Sequence, residues 1–120
     1  MEDKFRAGLI SVIWISSIGI VIYFSLMPSV KFPVDFWQVD KLYHFFSYSW
    51  LSVLPMIAYS NRKFALTASF SMILLGVLIE IGQLYVPGRT FSAADIVMNT
   101  IGVYFGIYGW GYLRRFISFV

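Results

Sequence analysis

A chain of 120 residues that is 59% hydrophobic, 20% aromatic and only 12% charged lacks the polar residues needed to clothe a water-soluble core. Its net charge of +3 does not point to nucleic acid, because the Lys and Arg residues fall at the termini and in short loops, where they orient membrane helices. The absence of cysteine excludes disulfides, thiol catalysis and Cys-ligated metal. One integral membrane domain remains, all-α, with a mean hydropathy of +0.77.

In chain order, Met1 to Arg6 is a polar lead, and the apolar run of residues 7–27 is long enough to span about 30 Å of hydrocarbon. It is too long for the core of a secretory signal and no small-x-small cleavage site follows it; Pro28 stops it. The loop to Gln38 carries Phe32, Phe36 and Trp37, aromatics suited to a membrane interface. A second helix is expected over residues 40–59, kinked at Pro55. After a basic turn at Asn61, Arg62 and Lys63, the third covers residues 64–85 and carries Glu80 near its far end. Its apolar residues, worth about −3 to −5 kcal/mol on insertion, outweigh the roughly +3 kcal/mol of one buried charge. Pro87 and Gly88 make a turn. Ser92 to Asp95, a capping box S-x-x-D, opens a fourth helix over residues 92–113, in which Gly102, Gly106 and Gly109 leave one side thin for close helix packing. No repeat or inter-domain linker interrupts the chain.

The expected architecture is therefore a four-transmembrane-helix bundle. Lys4, Arg6, Arg62, Lys63, Arg114 and Arg115 lie on one side of it, and only Lys31, Lys41 and Arg89 on the other, so both termini are expected in the cytoplasm. That arrangement brings three helix ends to the outer face. Asp40 and His44 share a face of helix two with Lys41 beside them; Glu80 and Gln83 share a face of helix three; Ser92, Asp95 and Asn99 line helix four. At 1.5 Å per residue all lie within roughly 10 Å of the outer boundary. An outward-opening polar pocket follows.

Each member has an ordinary explanation. Asp40 and Ser92 can serve as N-caps, Lys41 and Arg89 as interfacial anchors, Gln83 and Asn99 as interhelical hydrogen-bond glue, and His44 as an interior histidine bonded to Glu80 or Asp95. Together they are harder to explain, since packing does not require acids, bases and amides from three helices at one depth. The aromatic residues, including Trp14, Trp50 and Trp110, read mostly as lipid-facing or interfacial-belt residues.

The runs D-K-x-x-H at Asp40 to His44, E-x-x-Q at Glu80 to Gln83, and P-G-R-x-x-S-x-x-D-x-x-x-N-x-x-G from Pro87 to Gly102 resemble the VanZ-like family of small membrane proteins, named for an accessory protein in glycopeptide (teicoplanin) resistance. The resemblance covers about two thirds of the chain, with no departure at Asp40, Lys41, His44, Glu80, Gln83, Arg89, Asp95 or Asn99. It implies a multi-pass protein of a prokaryotic cell membrane and little chemistry, because the family's molecular activity is not established; resistance belongs to the namesake.

Two functions compete. In a binding module, Asp40, Lys41, Gln83, Arg89 and Asn99 would hold an envelope lipid headgroup, a lipid-linked cell-wall precursor or a lipoglycopeptide, with Arg89 bidentate on phosphate. In a membrane hydrolase or transferase, His44 would be the general acid or base, oriented by Glu80 or Asp95; a nucleophile with a recognisable motif is missing. A structural or assembly subunit is the third reading, and four helices without repeats are too few for a transport path unless the protein forms homo-oligomers. No cofactor is expected, and one histidine without H-x-x-x-H spacing argues against a metal. Binding is favoured over catalysis.

Overall fold

A computed structural model describes residues 2–27, 37–88 and 91–117, of which residues 2, 3, 37–40 and 117 by backbone alone. It contains four helices, α1 (Glu2–Leu26), α2 (Trp37–Ala58), α3 (Arg62–Gln83) and α4 (Ala93–Ile117), and no strand among the described residues. Two of them, α1 over Lys4–Leu26 and α3, are long and apolar enough to cross a membrane. The helix α2 has the same length as α3 but houses Asp40, Lys41 and His44, which lower its hydropathy.

The helix boundaries differ from the sequence expectation in instructive ways. Nothing between residues 2 and 6 breaks a helix, so α1 takes in the polar lead. The expected turn at Asn61 to Lys63 is shorter, because Asn61 caps α3: its Oδ1 accepts from the Phe64 amide at 3.2 Å, drawing Arg62 and Lys63 into the first turn. At its other end α3 tightens into i→i−3 bonds from Leu84, Tyr85 and Val86, which stop it before residue 85. Gly88 completes the expected turn with φ 79°. The helix α4 runs on past residue 113 through Arg114 and Arg115, basic residues that suit a helix C-terminus.

The helix α2 is the centre of the bundle, packed on all three others and most extensively on α4; α1 lies against α2 and α3. Small residues make the α2–α4 seam. A Cβ at Gly102 would lie 2.5 Å from the Phe45 carbonyl oxygen, and one at Gly106 would run into Ser52 Oγ and the Ser49 carbonyl. Gly109, expected on the same thin face, faces open space instead. The helix α1 runs antiparallel to α2, stitched by Ser11 to Tyr59 (2.8 Å), Trp14 to the Leu51 carbonyl (2.9 Å) and Trp50 to Ser17 (3.0 Å). Trp14 is thus a packing residue rather than a lipid-facing one, and Tyr48 is 2% exposed in the core.

The burial pattern is inverted relative to a water-soluble bundle. Phe5, Val12, Phe46, Leu74, Tyr108 and Phe116 are among many large apolar side chains left exposed, while Lys41, His44, Ser69, Glu80, Asp95 and Asn99 are buried. In water that distribution would waste apolar area at roughly 25 cal/mol per Å². In hydrocarbon it costs nothing, and every buried polar group then demands an internal partner.

Candidate functional site

The antiparallel order places the start of α2, the end of α3 and the start of α4 at one end of the bundle. There the ε-ammonium of Lys41 donates to Asp95 Oδ1 and, at 3.3 Å, to Ser92 Oγ. His44, one turn along the same face of α2, sets Nε2 3.4 Å from Asp95 Oδ2 and Nδ1 2.9 Å from Asn99 Oδ1. Asp95 and Asn99 are themselves one turn apart on α4, so an i, i+3 pair on α2 faces an i, i+4 pair on α4 across the seam. The close approach permitted by Gly102, one turn further on, is what lets these short side chains meet.

The helix α3 contributes from the other side. Glu80 is fully enclosed, at 0% exposure. Its Oε2 accepts from the backbone amide of Ser92 at 3.0 Å, and its Oε1 has no hydrogen-bond partner among the described residues. The capping box at the start of α4 is accordingly only half local. Ser92 Oγ does accept from the Asp95 amide at 3.3 Å. The return bond that the Asp95 carboxylate would make to the Ser92 amide is replaced by the one from Glu80, leaving Asp95 for Lys41 and His44. Ser92 is therefore both the expected cap and a part of the site.

The expected site residues divide into three groups. Lys41, His44, Glu80, Asp95 and Asn99 are brought together. Gln83 is not: its Nε2 donates to the Ser25 carbonyl at 2.8 Å, satisfying one of the carbonyls that the last turn of α1 leaves open. Arg89 and the side chain of Asp40 lie outside the described residues, although Asp40 is in α2, one turn before His44.

Gly76 was missed by sequence reasoning. A Cβ there would sit 2.9 Å from Asn99 Nδ2 and 3.2 Å from the Tyr48 ring, so the bare backbone of α3 is what holds the Asn99 amide against His44. A glycine in the middle of an apolar helix was the available signal. Spatially, His44, Glu80 and Asp95 each present a donor atom within 4.8 Å of the others, a cluster that no linear spacing announces.

The chain matches the VanZ/LLP1 family over residues 4–114, nearly its whole length, so it belongs to that family, and the match extends beyond the three helices that carry the motifs. No curated protein and no solved structure matches it.

Proposed function

Proceeding from membership of the VanZ/LLP1 family, we propose that the protein spans a prokaryotic cell membrane four times with both termini in the cytoplasm, and that its polar end is an extracytoplasmic receptor for the anionic headgroup of an envelope lipid or lipid-linked cell-wall precursor. The observation that carries the reading is Lys41, held at 9% exposure among two carboxylates and a histidine supplied by three helices. Placing such charges in a bundle costs about 2.5–3.5 kcal/mol each on insertion scales, and residues retained at that cost generally line a site. Packing alone could be met with serine pairs, as it is at mid-bundle, where Ser69 donates to the Ser52 carbonyl at 2.6 Å. Lys41 and Arg89, the latter in the stretch of sequence between α3 and α4, would supply the positive charge for a phosphate.

One feature favours a second reading, a membrane-embedded hydrolase or transferase acting on the same class of lipid. Both nitrogens of His44 are engaged, one by Asn99 and the other by Asp95, the arrangement that orients an imidazole for proton transfer. Mass spectrometry of the purified protein with a bacterial envelope lipid extract separates the two. A lipid retained unchanged by the wild type and released by Arg89→Ala is the expected result. A lipid whose mass changes, with the change lost in His44→Ala, makes the protein an enzyme.

A further inference from the structure

We infer that His44, Glu80 and Asp95 form a binding site for a divalent transition-metal ion of the Zn2+ or Mn2+ class. Three groups that all act as acceptors when deprotonated converge here, with donor atoms within 4.8 Å of one another. The 3.4 Å between His44 Nε2 and Asp95 Oδ2 is the separation of two ligands on one ion: at metal–ligand distances of about 2.0–2.2 Å, tetrahedral ligands stand roughly 3.4 Å apart. The third group, the Glu80 carboxylate, supplies the independent sign of a missing ligand. Glu80 is at 0% exposure, yet Oε1 lacks any hydrogen-bond partner among the described residues, and a buried carboxylate oxygen without a donor is costly unless a cation or a proton meets it.

The surroundings are those that metal ligands need. A ligating histidine characteristically donates its other ring N–H to a carbonyl or carboxylate, and ligating carboxylates are themselves hydrogen-bonded. His44 Nδ1 faces Asn99 Oδ1 at 2.9 Å, which leaves Nε2 with its lone pair toward the cluster, and Glu80 Oε2 is anchored by the Ser92 amide. Asn99 is in turn fixed by the bare backbone at Gly76. Among the described residues, the Lys41 ammonium meets Oδ1 of Asp95, while Oδ2 of the same carboxylate faces the histidine. The mixture of one imidazole and two carboxylates suits Zn2+ or Mn2+ better than Ca2+ or Mg2+, which prefer all-oxygen shells. The inference stands apart from the headgroup reading, because metal uptake is measured on protein freed of lipid.

The test uses full-length protein purified in detergent without a polyhistidine tag, stripped with chelator and dialysed against Zn2+ or Mn2+. The wild type should retain stoichiometric metal and melt at a higher temperature with it. Because the chain contains a single histidine, Mn2+ bound here should show coupling to one imidazole nitrogen in pulsed electron paramagnetic resonance, a signal only His44 can give. Glu80→Gln should lose retained metal while its melting temperature no longer responds to the ion, and Asn99→Ala, which removes only the support of His44, should weaken binding by about 10–100-fold. Wild-type protein that takes up no metal above a detergent blank, or Mn2+ bound without imidazole coupling, overturns the proposal. In the first case, a proton shared between the carboxylates fills the cluster instead. Lipid retention that persists in chelator would leave the headgroup reading intact after such a failure.

Discussion

The two ends of the bundle use charge in opposite ways. At the end where α3 begins and α4 finishes, Arg62, Lys63, Arg114 and Arg115 are exposed and reach outward. At the other end Lys41, Glu80 and Asp95 are buried and bonded to one another or to backbone. Exposed basic residues at helix ends need no more explanation than interfacial anchoring. Buried ones were drawn out of water against a cost, and the architecture around them is correspondingly specific: a glycine at 102 that abuts backbone, one at 76 that abuts the Asn99 amide, and a helix cap rerouted through a glutamate from another helix. The contrast teaches that the charge census alone is uninformative here and that burial separates anchors from site residues.

The largest effect should come from breaking the ion pair from one side. Asp95→Ala leaves the Lys41 ammonium in the bundle without its carboxylate, and removing one partner of a buried pair costs about 3–5 kcal/mol. A thermal melt in detergent should show Asp95→Ala as the least stable variant, and Lys41→Met with Asp95→Leu together should recover much of the loss. Next comes the seam. Gly102→Ala drives a methyl group toward the Phe45 carbonyl, an overpacking cost of about 1–3 kcal/mol. Gly109→Ala meets open space and should be neutral or raise stability by about 0.5–1 kcal/mol through helix propensity. Equal melting shifts for the two glycine variants would disprove the seam. The smallest effect belongs to the basic end: Lys63→Ala and Arg114→Ala should change stability by no more than about 0.5 kcal/mol while shifting the ratio of membrane orientations.

Much of this was legible in the sequence, for reasons that differ by residue. Helix number and the grouping of Lys41, His44, Glu80, Asp95 and Asn99 follow from apolar run lengths, i, i+4 spacing and antiparallel order, which are local or nearly so. The fate of Gln83 was not, because whether an amide points at the cluster or at the last turn of α1 depends on the rotation of α1 against α3, to which helical periodicity is blind. The same holds for Trp14, whose indole finds the Leu51 carbonyl across the α1–α2 interface. Spacing put Gly109 on the thin face, where it meets nothing within 4 Å, and gave no sign of Gly76, which is pressed against Asn99 from α3. The donor convergence of His44, Glu80 and Asp95 draws on all three helices, so no motif built on spacing within one helix reveals it.

The central claim is that the polar end exists for a ligand rather than for the fold, and Glu80→Gln tests it most directly. The substitution keeps the volume of the side chain and the oxygen that accepts from the Ser92 amide, and removes its charge at a position whose Oε1 contributes no hydrogen bond to the bundle. Lipid and metal retention should be measured on wild type and variant beside a thermal melt. The variant should melt at or above the temperature of ligand-free wild type while retention falls. A variant that melts much lower, with retention falling only as far as the folded fraction does, would make Glu80 a packing residue and the cluster a structural device.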